Sequence, residues 1–461
     1  MIEIRRFAAA NHNQSLTLDG TISQAGAQDL TLHVQSLRLD DFSGFVPGQV
    51  KPVGLASANL AVRGSAAAPV ITMAANVSDL RVSSIPQAEF SARLSYSGGK
   101  AQAEATLSQN ATHSLNATAM LPLQLSWAQG FQSRVTGDLD LRAFSSGLDL
   151  AVINAFRNPQ VSGIGGILSL DVRAHGPLQH PIPGGFIRLS GGHAKAGKLN
   201  VEVTEGSADI QLGAREVRLV TLSARAGEGT LTGGGALSLE PNGTPGQLSL
   251  HVALDRWPAI ATHQYNAAIS ERIDAGGPLT ALNIRGRVEV LHAVFRPDLS
   301  VTGGAPHPDE TVTVVHRWSE TPHRRPSPPA KNQAATGPTF QNLAIDVEIV
   351  IDRNTWIKTA DFAVEMEGDV HVQKRRGGEL ILSGAINTVR GTLVVAGREF
   401  DLARGHIMFT GGHEINPELD IVAQYRVQNY LVSATVGGSA NKPTLTLSSI
   451  PDLPQADILS S

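Results

Sequence analysis

At 461 residues, with a net charge of −4 and no cysteine, the chain is long enough for several compact domains. It offers no basic field for nucleic acid and no thiolate for disulfides, metal sites or nucleophilic catalysis. Its 46 glycines, 25 prolines, 17 % charged and 5 % aromatic residues put small aliphatics where large globular cores use bulky rings, a composition that suits many short strands joined by tight turns.

The opening MIEIRRFAAANHNQSLTLDG carries only a brief Phe-Ala-Ala-Ala run, too short for a signal-peptide core or a membrane span. Residues 1–295 read as a repetitive array. Three places where an aspartate precedes a strand pair, Asp41, Asp149 and Asp255, recur at a spacing of 106–108 residues. An alternating strand and a glycine turn follow each: Gly64-Ser65 with Pro69, Gly176-Pro177 with Pro181, and Gly277-Pro278. Gly438-Ser439 with Pro443 repeats the turn. Glycine tolerates positive φ and proline cannot donate to a ladder, so each pairing punctuates a strand end, and the recurrence supports a modular, solenoid-like arrangement. The segment from Gly147 to Arg157, with Leu148, Val152 and Phe156 at helical spacing, predicts a short helix.

Within the array the period is two. Leu248, Leu250, Val252 and Leu254 alternate with polar residues. So do Leu282, Ile284, Val288, Val290 and Val294, against Asn283, Arg285, Arg287 and Glu289. One greasy and one charged face predict antiparallel strands with a wet side. Residues 296–342, rich in proline, histidine and charge, read as a mobile insertion or linker with a short strand at Thr311 to Val315. Residues 343–461 read as a closing β domain.

Chemistry is scarce. Glu365, Glu367 and Asp369 share one strand face, with Val364, Met366 and Val370 on the other; no contrasting environments separate an acid from a base, so a solvated outer face is expected. The 15 histidines do not pair at metal spacing. GEGTLTGGG at Gly227 to Gly235 has threonine at the sixth place of a dinucleotide fingerprint and runs between strands, which predicts a hairpin. No catalytic residue, metal or cofactor is expected.

The stretch from Gly397 to Ser460 carries two ordered motifs. One is Gly397, Arg398 and Phe400, then Gly405, Ile407 and Phe409, then Asn416-Pro417 and Leu419-Asp420; the other is Leu447-Ser448-Ser449 with Pro451, Leu453, Pro454 and Asp457 to Leu459. In this order they resemble the C-terminal domain of TamB, the inner-membrane component of the translocation and assembly module, within the AsmA-like superfamily. The resemblance reaches inward to about residue 285. TamB-like chains are longer, with an N-terminal inner-membrane helix and further strands after the closing motif, so the sequence is expected to be a piece of such a protein.

The resemblance implies an all-β fold, an elongated repetitive antiparallel sheet folded into a groove, with at most one or two short helices. At roughly 4.8 Å per strand such a chain reaches on the order of 200 Å. Alternation alone equally allows a closed β-helix or sandwich packed on itself. The implied role is a periplasmic bridge that carries phospholipid along an apolar groove and supports outer-membrane protein assembly with a TamA-like barrel. Groove candidates are Leu282, Ile284, Val288, Val290, Val294, Leu419, Ile421, Tyr425 and Val427; ordinary packed core is the competing reading for each. A second reading is a chaperone-like scaffold whose strand edge pairs with barrel substrates. A secreted adhesin or polysaccharide lyase is a third, and lacks its expected leader and charged strand face.

Overall fold

A computed structural model describes residues 2–23, 26–41, 52–82, 88–155, 160–296, 341–395, 398–412 and 414–452. The insertion at 297–340, with its expected strand at Thr311 to Val315, lies outside them, as do Gly397, His413 and the closing residues from Leu453 onward. Two compact units divide the chain, Met1–Trp257 and Pro258–Ser461.

The fold is all-β. In the first unit the strands are β1 (Ile2–Asn11), β2 (Gln14–Ile22), β3 (Ala27–Arg38), β4 (Pro52–Ser65), β5 (Pro69–Val82), β6 (Ala88–Ser97), β7 (Lys100–Ser108) and β8 (Ser114–Ser126). They continue with β9 (Gln132–Val135), β10 (Leu139–Asp149), β11 (Val161–Gly176), β12 (Ile182–Ala196), β13 (Val201–Leu212), β14 (Glu216–Ala226), β15 (Gly229–Leu239) and most of β16 (Pro245–Ala261). Each strand from β1 to β8 pairs antiparallel with the next. β8 then divides, its first part pairing with β10 and its end with the short β9. From β10 to β16 the antiparallel succession resumes.

The second unit holds β17 (Tyr265–Pro278), β18 (Asn283–Phe295), β19 (Ala344–Lys358), β20 (Phe362–Lys374), β21 (Leu380–Val395), β22 (Arg398–Thr410), β23 (Glu418–Val427), β24 (Tyr430–Ser439) and β25 (Lys442–Ile450). All its ladders are antiparallel except β18 with β19, which run parallel, Asn283 facing Ala344 and Phe295 facing Ile357. Among the described residues no ladder joins β1 to β16 or β17 to β25, so neither unit closes into a barrel.

The turn glycines behave as the sequence predicts: Gly64, Gly176, Gly277 and Gly438 all have positive φ, and Ala226 faces Gly229 across the GEGT hairpin. The expected helix does not form over its full span. Gly147 to Asp149 finish β10, and a 3-10 turn at Leu150–Ala155 follows; Phe156 and Arg157 lie outside the described residues.

Most ladders shift register once or twice, and many of the shifts fall at neighbouring positions. In the first unit the register slips between Val34 and Leu37, Val77 and Leu80, Ser145 and Leu148, Gly165 and Ile167, Leu189 and Gly192, and Thr204 and Ser207. In the second it slips between Ala268 and Ile269, Val290 and Ala293, Ile351 and Thr355, Glu365 and Met366, and Leu402 and Arg404. A bulge bends its strand and steepens the local twist; in register, bulges crease a sheet along a line. At the crease Gly192 faces Gly206, and a Cβ on Gly206 would stand 3.0 Å from the Gly192 carbonyl oxygen.

Candidate functional site

The register decides what the alternation leaves open, because cross-strand partners share a face. In the first unit one row crosses from β1 to β16 without a polar side chain: Ala9, Leu16, Val34, Ala58, Ala75, Ala92, Ala105, Ala117, Ala143, Val172, Gly185, Leu212, Val217, Leu237 and Leu248. Six successive partners in it are alanine. A flanking row runs Leu18, Leu32, Leu60, Met73, Leu94, Ala103, Ala119, Leu141. Both rows are mostly half-buried rather than enclosed. The opposite face carries ion pairs: Arg142 reaches Asp171 across the strands, Arg173 reaches it along β11, and Arg188 crosses to Asp209. Hydrogen bonding from Arg173 outweighs partial burial and holds the Asp171 carboxyl below its usual range.

The second unit repeats the division. Ile284, Val288 and Val290 share a face of β18 with Gly286, and each faces an isoleucine of β19: Ile345, Ile349 and Ile351. The row continues from Ile349 to Val370, Gly384 and Phe409. Leu419 and Ile421 lie on the same side of β23, opposite Ile407 and Gly405. Tyr425 and Val427, on that side too, pack against a small enclosed core of Phe400, Ala423, Val432 and Ala434. Leu282 precedes β18, its carbonyl accepting the Ala344 amide at 2.9 Å. Val294 stands apart. Past the bulge it faces Asn266 while Val290 faces Ile269, positions on opposite sides of β17, and it is 8 % exposed. The structure therefore gathers Ile284, Val288 and Val290 into one half-open row, gathers Leu419 and Ile421 into another, and puts Tyr425 and Val427 beside packed core.

Among the described residues, three charged side chains lie on this apolar face. The ammonium of Lys374, 4 % exposed, donates to the carbonyls of Gln341, Leu343 and Arg375 at 3.2, 3.0 and 3.4 Å, tying down the chain as it enters β19. Arg398 sits over the Tyr425 ring. Glu271 faces Val288, and burial pushes its carboxyl above the usual range.

Of the three expected surface carboxylates, Glu365 is not on the surface. It is 6 % exposed, accepting from the Asn354 amide at 2.9 Å and the Arg390 guanidinium at 2.6 Å. Burial raises its pKa, but Arg390 and the amide outweigh that and the net shift is downward. A carboxyl depressed in the folded state contributes stability above the unfolded value near pH 4.3 and loses it as pH falls through the folded value. Glu365→Gln is expected to cost about 1–3 kcal/mol at neutral pH, with the gap to wild type in thermal melts closing below about pH 4; a gap constant with pH would exclude the ionised pair. Glu367 pairs with Arg353 at 2.7 Å on the exposed side.

The polar face also has a recess of ≈ 640 Å³ beside Arg285, Asp346, Arg376 and Glu379. Its charges are of both signs, and Arg376 is engaged with the Ala281 carbonyl and Asn283. Among the described residues no group of histidine, aspartate and glutamate is placed to hold a metal, and no helix is long and apolar enough to cross a membrane.

The family profile described as the TamB C-terminal domain matches residues 220–461. The chain belongs to the TamB family. The matched span takes in β15 to β25 and all of the second unit, so the apolar face built on β17 to β24 lies within the matched region. No curated protein matches it significantly.

Sequence reading missed the alanine row of the first unit. Those six residues fall at irregular intervals and become a row only once the register is known.

Proposed function

We propose that the apolar faces carry the acyl chains of phospholipids between the inner and outer membranes, within a periplasmic TamB-type bridge anchored by an inner-membrane helix in the longer parent protein. The observation that carries this reading is the register: rows of aliphatic partners run strand after strand and stay half-open, so the apolar surface is left for something other than the chain itself. Nothing in the role calls for catalysis. Support for outer-membrane protein assembly with a TamA-like barrel belongs to the same reading through the family.

A second reading, strand-edge pairing with barrel substrates, is favoured by β25. Leu445 and Ile450 on it are 67 % and 70 % exposed, apolar side chains that an added strand would cover.

Site-specific photo-crosslinking separates the two. Probes at Ile284 or Val288 are expected to yield phospholipid adducts in a periplasmic preparation, and probes at Arg285 or Arg287, on the polar side, to yield none. Adducts at neither pair, with protein adducts along β25, would replace lipid carriage by strand pairing.

A further inference from the structure

On the reading that acyl chains lie along this face, we propose that Glu271 is a headgroup-selecting residue that takes the ammonium of an amine-bearing zwitterionic phospholipid. Glu271 lies in the middle of β17, directly opposite Val288, with Ile269 and Ile273 on its own side of the strand. The other two charged residues of the face are already engaged, Lys374 by three carbonyls and Arg398 by Tyr425. On the β18 side Glu271 meets Val288 and no cation, and burial is what displaces its carboxyl. On the bare sheet, half-exposed, the carboxylate keeps water. Alkyl chains laid across it would strip that water and give nothing back, the costly case of an unpaired buried charge. An amphiphile that brings its own ammonium supplies the missing partner, and an anionic headgroup is repelled at the same point. The apolar rows take any acyl chain; Glu271 distinguishes among the molecules that bear them.

The test incubates the whole chain with vesicles of equal phosphatidylethanolamine and phosphatidylglycerol and measures the bound lipids after re-isolation. Wild type is expected to hold the amine-bearing lipid several-fold enriched over the vesicle ratio. Glu271→Gln, nearly isosteric, is expected to bring the ratio within twofold of the vesicles with total lipid unchanged, and Glu271→Lys to invert it. Glu289→Gln, on the polar face, should behave as wild type. Bound lipid with one ratio in all four proteins would overturn the role of Glu271 and leave lipid carriage standing. No bound lipid in any of them would overturn both.

Discussion

Replacing Val288 with aspartate is expected to empty the second unit of bound phospholipid while leaving it folded. Val288 is half-buried in the middle of a row that runs Val288, Ile349, Val370, so a carboxylate there interrupts the apolar track on three strands at once. Covering it with alkyl chain costs several kcal/mol, and each 1.4 kcal/mol is tenfold in affinity, so bound lipid should fall by at least about tenfold. The fold should survive, because the face is open and the new side chain keeps its water when no cargo is present. Like charge opposite Glu271 adds only about 0.2–1 kcal/mol of destabilisation. Val288→Lys meets Glu271 across the strand and should be the milder change. Arg285→Gln, on the polar side, should bind lipid as wild type does. Unchanged lipid in Val288→Asp, at normal abundance and with an unaltered strand spectrum, would count against a track through this row.

The largest loss of stability is expected from a single methyl group on the first unit. Gly185 lies in the apolar row of β12 with φ +107, and a Cβ there would stand 1.8 Å from the Asp171 carbonyl oxygen of β11. Gly185→Ala must strain a backbone that side-chain-bearing residues rarely adopt, at about 1–3 kcal/mol, and must also push two paired strands apart. Gly184, its neighbour, has nothing within 4 Å of its Cβ position, so Gly184→Ala should stay within about 0.5 kcal/mol of wild type. Denaturant melts of the two variants decide it: equal stability would mean that β11 and β12 do not approach as described.

What the sequence revealed follows from what period-two patterning can carry. The wet and greasy faces of β18 were legible at Ile284 and Val288 because a strand's side chains alternate whatever lies beside it. Val294 fits the same alternation on paper, yet one extra residue after Val290 carries it to the other side of the sheet. Glu365 is a different case. Its neighbours on β20 read as a charged strand face, while its partners, Arg390 and the Asn354 amide, come from the strands on either side. Bulges on these strands carry no fixed residue signature, and Ser36, Asp79, Glu205 and Asn354 all take positive φ without being glycine. The alanine row was invisible for a further reason: it is a property of pairing among strands, to which no single segment points.

The parallel pair of β18 and β19 sets a problem of assembly. Every other neighbouring pair of the second unit is joined by a turn of a few residues, so its ladder forms as soon as the hairpin closes. Between β18 and β19 the chain must first travel back the length of a strand, on the order of 40 Å, before Ala344 can meet Asn283. Closing about 48 residues instead of four costs some 2 kcal/mol more in chain entropy. The seven strands after this step can therefore zip together as their own meander while β17 and β18 wait. The seam between them is the contact on which the unit commits last, and its first under mechanical load to part.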